Sequence, residues 1–309
     1  MDKHDLYGVL INSTLLGGII RQEINTNSVH RGEPASGAIN PSVMSVVDQI
    51  VGASFATLDI ETALGELTGD SEYGQFGWTI TGDGLSMYGY KHVDGGGRAG
   101  ASSHRKYNFV KGLVIPQTLS VSHGGDAVLS YRVFPAYNGS ADPVVLTEDQ
   151  SVPGSITDAN RYTLGPCTVG NISLDGLRGL DIDFGIAVEQ EPIQSEVWPR
   201  VVSIRSAAPV ITIRGIDLAW HADSGGIHLE GLAGTHANST IYLRRRKTGG
   251  SFYADNEAEH VKFTAAGLIT VQNMMSADGR SAAEASLMMS CYHDGDNLPL
   301  SVDTSIAIT

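Results

Sequence analysis

Histidine is the residue type best placed to do chemistry in this chain, which carries ten of them. His221, His228 and His236 recur in HADSGGIHLEGLAGTH, with Asp223 and Glu230 close by. A zinc site usually draws its ligands from closer pairs or from one helix face. His221 and His236 flank glycine turns instead, so hydrogen-bonded loop histidines are the better reading. Asp294, Asp296 and Asn297 in HDGDN begin like a calcium loop but lack its later glycine and distant glutamate, and a plain turn explains them. Asp181 and Asp183 share one face of a strand, as glycosidase carboxylates can. They are also the polar positions of an alternating pattern, which reads as a solvated face. No serine lies in G-x-S-x-G, and Gly95-Gly96-Gly97 is not followed by the GK[ST] of a phosphate loop. The expectation is a protein with no catalytic residues, no metal and no cofactor.

Composition sets the frame for positioning any site. The chain has 309 residues, room for two domains or one large all-β domain. Charged residues make up 17%, below the usual quarter of a soluble domain, and 37 glycines suit a β-protein with many tight turns. A net charge of −14 argues against sequence-independent nucleic-acid binding and against an anionic membrane surface, both of which need a basic face. It is compatible with a channel that repels DNA and keeps it from sticking. Cys167 and Cys291 are too few for a disulfide framework and read as core or near-core thiols. The N-terminus MDKHDLYGVLINS has no apolar run long enough for a signal peptide, and no 18-residue apolar run occurs, so synthesis in a cytoplasm is expected.

Along the chain, short strands are predicted at 6–11 and 15–24, then a long polar loop at 25–40 carrying Gly32, Pro34 and Gly37. Asn40-Pro41 resembles a helix start. Val43, Val46, Val47 and Ile50 fall at i, i+3, i+4 and i+7, which predicts a helix near 41–51. A strand over 54–60 and a second short helix near 59–67 follow. Residues 69–84 read as a hairpin whose Tyr73, Phe76 and Trp78 pack on the core, and 92–104 as a flexible glycine turn or arm. Further strands are expected at 106–115, 117–122 and 126–134. The Pro-, Asp- and Ser-rich stretch 138–160 suggests a boundary, giving domains 1–150 and 151–309. The second half is again strand-rich, and at 180–190 the residues Leu180, Ile182, Phe184, Ile186 and Val188 share one face.

Several stretches carry a resemblance. VHRGEPASGAINPSVMSVVDQIVGASFATLDIETAL resembles a bacteriophage tail-protein segment in which an R-G-E-x-x-S-G loop precedes a short helix, a strand and an Ala/Leu-rich helix. HRKYNFVKGLVIPQTLSVSHGGDAVLSYRVFPAYNGSADPVVL and the STIYLRRRKTGGSF and EHVKFTAAGLI regions extend the similarity in pieces over most of the chain. The resemblance to major tail (tail tube) proteins implies a mainly β architecture. It would consist of two β-sandwich or barrel-like domains with one or two short flanking helices. It further implies a virion structural protein, made in a host bacterial cytoplasm and residing in the tail. Its copies would form trimeric or hexameric rings that stack into a tube through which DNA is ejected without specific binding. Partners would be the tape measure, tail terminator and distal tail proteins, with no membrane involved.

The alternatives are a distal tail or baseplate ring or minor tail protein, and, from another class, a carbohydrate-binding or carbohydrate-active surface protein. Against the last stand an aromatic content of 7% and three scattered tryptophans, Trp78, Trp198 and Trp220. Assembly contacts are expected from Arg31 and Glu33 in the long loop and from Gly95, Arg98 and Ser103 in the glycine arm. Arg244 and Arg246 in the single basic run are expected to meet an acidic patch on a neighbouring copy.

Overall fold

A computed structural model describes residues 3–34, 39–67, 77–154, 159–193, 196–221, 226–234, 238–278, 282–293, 295 and 297–309. The chain is mainly β, in large antiparallel sheets of sandwich-like character. Its first half runs β1 (Lys3–Ile11), β2 (Thr14–Leu16), β3 (Ile19–Glu33), β4 (Val43–Thr57), α1 (Ile60–Leu67), β5 (Trp78–His92), β6 (His104–Ser122), β7 (Val128–Pro135) and β8 (Val144–Gln150). The second half begins with β9 (Tyr162–Val169), β10 (Ile172–Ser173), β11 (Leu177–Asp183), β12 (Ile186–Pro192), β13 (Pro199–Ala207) and β14 (Val210–Gly215). After a short 3-10 turn at Leu218–His221 come β15 (Leu232–Gly234), β16 (Thr240–Arg245), β17 (His260–Ala265), β18 (Gly267–Ser276), β19 (Glu284–Cys291) and β20 (Leu300–Ile306).

Strand β6 is the spine. It pairs with β5 and β8 toward its N-terminal end and with β7 and β11 toward its C-terminal end, and a register shift at Pro116 lets it serve both. From it a 13-stranded sheet spreads through β5–β1–β2, through β7–β4–β3 and through β11–β14–β19–β18–β15. A second sheet, β10–β9–β16–β17–β20, shares one continuous apolar core with the first; Leu119, Ile182 and Ile211 belong to it from one sheet, Tyr162, Leu243 and Phe263 from the other. The expected division near 150 falls between β8 and β9, and the hydrogen-bonded pairing of β6 with β11 crosses it.

Of the two expected helices, the one near 59–67 is present as α1, with Ile60, Ala63 and Leu64 buried. The helix expected near 41–51 is absent: β4 occupies it, in register with β3 from Ile19↔Thr57 to Glu33↔Val43. The long loop expected at 25–40 is likewise largely strand, since β3 continues to Glu33, and Ser42 N–H donates to the Glu33 carbonyl at 3.0 Å to close the turn. The physical reason is a bulge. Val29 pairs with Asp48 and His30 with Val46, which leaves Val47 as an extra residue. That one-residue phase slip turns a strand's alternation into helix-like i, i+3, i+4 spacing, while the β-branched valines favour the extended form.

The strand predicted over 180–190 is also interrupted. Leu180, Ile182 and Phe184 enter the main core, but Gly185 adopts φ +57, and a Cβ there would sit 2.1 Å from the Ala208 carbonyl oxygen. The chain then leaves the large sheet as the two-stranded β12–β13 ribbon. Its Ile186, Val188, Val202 and Ile204 pack on a separate cluster of Leu113, Ile115 and Phe134.

Candidate functional site

The long β3–β4 hairpin is the feature that stands apart from the packed body. Its base is rooted: Phe55 and Ala53 are buried, Phe55 stacks on Tyr131 with centroids 5.0 Å apart, and β4 pairs with β7 from Ala53 to Thr57. Among the described residues, 43–52 have β3 as their one ladder partner, roughly 33 Å of ribbon at about 3.3 Å per residue. One brace touches it on the way out, where Gln49 N–H donates to the Val197 carbonyl at 2.8 Å.

Apolar side chains are exposed on both faces of this ribbon. The register puts His30, Val46 and Met44 on one face with the core-facing Val51, and Ile50, Val29, Arg31 and Val43 on the other. Met44 is 66% exposed and Val43 61%; Val29, Val46, Val47 and Ile50 are exposed as well. An isolated two-stranded ribbon is marginal in water, and the exposed valines, Ile50 and Met44 make this segment the candidate site. Arg31 and Glu33 sit near the far end and pair with each other at 2.8 Å, both largely in solvent. The sequence reading named the charged pair of this segment; its exposed surface also carries the valines, Ile50 and Met44.

The glycine segment 92–104 is a closed turn folded back on the ends of β5 and β6, rather than an extended arm. Val93 N–H donates to Gly97, Ala99 N–H to Lys91, and Ser103 Oγ to the Gly100 carbonyl at 2.7 Å. Gly95 takes φ +96 in open space, and the Arg98 guanidinium lies 4.6 Å above the Tyr90 ring. Beneath the turn, His104 is fully buried, 4.1 Å from Tyr90, and its Nδ1 accepts from Lys91 N–H at 3.1 Å. The neutral ring's proton then sits on Nε2, which has no hydrogen-bond partner among the described residues. Burial, reinforced by His4, lowers the His104 pKa from its ordinary value.

Arg244 and Arg246 lie far from the ribbon in sequence and sheet, and both are engaged within the chain. Arg244 bonds Asp255 at 2.7 Å. Arg246 donates to the Gly124 carbonyl at 3.0 Å and lies 3.3 Å from Asp126. Between them Arg245 joins a network that sequence reading missed. Glu61, in the first turn of α1, accepts from Tyr162 at 2.6 Å, from Asn160 at 3.1 Å and from Ser305, and lies 3.7 Å from Arg245. Burial pushes the Glu61 carboxyl up, but the bonds from Ser305, Tyr162 and Asn160 and the charge of Arg245 outweigh it, and its pKa is lowered. Burial and the same carboxylate raise Tyr162 far above the usual phenol range. The pair therefore holds one fixed protonation state near neutral pH and ties α1 to β9 and β20 as a lock.

The remaining candidates do not converge. Among the described residues no three His, Cys, Asp or Glu side chains come together as a metal set. His228 and Glu230 are exposed, Asn297 is exposed, and Asp223, His236, Asp294 and Asp296 lie outside the described residues, as do Tyr73 and Phe76. Asp181 pairs with Arg214 at 2.9 Å across the strands, on an exposed face. Trp78 packs in the core as expected. Cys167 and Cys291 are free thiols, Cys167 fully buried, and burial pushes each up to about 12. No helix among the described residues is long and apolar enough to cross a membrane.

The sequence matches no protein-family model and no curated protein.

Proposed function

We propose that this chain is a virion structural protein that assembles with copies of itself into the stacked rings of a phage tail tube. The observation that carries the reading is the projecting β3–β4 ribbon, apolar on both faces and rooted in a large sheet. A surface exposed on two sides is complementary to neighbours on two sides, such as one copy beside it in a ring and one in the next ring. Burying its valines, Ile50 and Met44 would contribute about 1.5–3 kcal/mol each at full cover. The net charge of −14 suits a lumen through which DNA slides without adhering. In this reading the tape measure, tail terminator and distal tail proteins are the other partners.

Negative-stain electron microscopy of the purified protein at high concentration tests the proposal. Tubes of uniform diameter with a regular ring repeat are the expected result. Closed single rings would favour a distal tail or baseplate ring instead, and particles that stay single at every concentration would count against self-assembly.

A further inference from the structure

Away from the ribbon, one place inverts the acidic character of the molecule. A cleft of about 520 Å³ where the start of β9 and the end of β16 meet the turn between β6 and β7 is lined by Arg161, Arg245, Arg246 and Lys247. These are four of the twenty basic residues in a chain that carries 34 acids. Among the described residues that line it, Asp126 is the one carboxylate.

The donors of these four groups are unequally engaged. Arg245 is held by Glu259 and by Asn160, the latter at 2.6 Å. Arg161 and Arg246 share the single carboxylate of Asp126, at 3.6 and 3.3 Å, so two guanidinium charges meet one negative charge. The Arg161 guanidinium makes no hydrogen bond among the described residues and its side chain is 55% exposed, while its backbone carbonyl accepts from Arg246 N–H at 2.8 Å. The Lys247 ammonium lies 3.8 Å from Glu257 and 4.7 Å from the Tyr253 ring centroid, again without a hydrogen bond among the described residues. The cleft thus holds unused charged donors beside neutral Thr248 and Gly250 backbone, in a volume suited to a small ligand. Guanidinium and ammonium groups arranged this way match the oxygens of a phosphate group.

We propose that this cleft binds a small phosphate-bearing anion, gripped by Arg161 and Lys247 with Arg246 behind them. Asp126 opposes the ligand and limits its affinity. The site does not depend on the assembly reading above.

Isothermal titration of the full chain with pyrophosphate and with inorganic phosphate, against chloride of matched ionic strength, tests this. Saturable binding is expected, tighter for pyrophosphate. Arg161→Ala and Lys247→Ala, both solvent-facing changes that leave the unliganded melting temperature in place, should each weaken binding about tenfold or more. Asp126→Asn should tighten it severalfold by removing the opposing charge. No saturable heat, or equal binding by all four proteins, would overturn the proposal. So would absent phosphate binding combined with reduced self-association of the Arg161→Ala and Lys247→Ala proteins, which would assign the cations to an acidic surface of a second copy.

Discussion

The β3–β4 ribbon and the basic end of β16 illustrate opposite ways of presenting side chains. The β4 strand of the ribbon carries apolar residues, yet Val43, Met44, Val46, Val47 and Ile50 are all exposed. The β16 end is the most densely charged stretch, yet Arg244, Arg245 and Arg246 each face a carboxylate of their own chain. Charge density alone is therefore a poor guide to where a partner docks. A guanidinium can find its partner within the fold, whereas the ribbon's valines stay largely uncovered among the described residues. The turn at 92–104 falls between these cases, exposed above and anchored below by a buried histidine.

The comparison can be broken most forcefully at the ribbon's root. Phe55→Ala removes a fully buried ring stacked on Tyr131 and should cost about 3–5 kcal/mol in urea unfolding. A cost below about 1 kcal/mol would mean that the root is not fixed to the body. Next in size is the lock beside the basic run. Glu61→Gln keeps the shape but loses the charge that Tyr162, Asn160, Ser305 and Arg245 converge on, and should cost about 2 kcal/mol near neutral pH. Because the folded carboxyl has the lower pKa, its stabilisation is present above the unfolded value of 4.5 and is lost as pH falls through the folded one. Unfolding curves of the two proteins should therefore converge in acid.

A smaller effect is expected at His104. Its folded pKa lies below the ordinary 6.5, so the unfolded chain binds the extra proton first, and stability declines as pH drops below 6.5. Protonating Nδ1 would set a proton against Lys91 N–H, with Tyr90 packed on the ring and His4 adding its charge. Amide exchange at Lys91 and Ala99 should speed up at pH 5.5 relative to pH 7.5; equal protection at both values would remove the histidine from the account. Smallest of all, Arg31→Ala with Glu33→Ala should change stability by less than about 0.5 kcal/mol, since the pair is solvent-exposed. Its effect on association should be weaker than that of the apolar substitutions below.

Much of the β architecture was legible because core strands alternate, as in β11, where Leu180 and Ile182 are buried and Asp183 is exposed. α1 was legible from its apolar spacing and the glycine that follows. The ribbon was not, because the bulge at Val47 breaks the period-2 signal where no core face exists to restore it. Gly185 was passed over because alternation continues on both sides of a turn that only tertiary crowding against Ala208 reveals. The Glu61 lock joins residues about a hundred positions apart or more, and no local pattern announces such a meeting. At the candidate site, the spacing of Val43, Val46, Val47 and Ile50 was assigned to one face of a helix, where the structure has a bulged strand.

Sedimentation velocity over a wide concentration range, comparing the native chain with Val43→Lys/Val46→Lys/Ile50→Lys, tests the central claim most directly. The account predicts that the native protein shifts from 32.7 kDa to ring-sized species, while the substituted protein stays monomeric with an unchanged circular dichroism spectrum. Equal association of the two proteins, or a native chain that remains monomeric at every concentration, would contradict it.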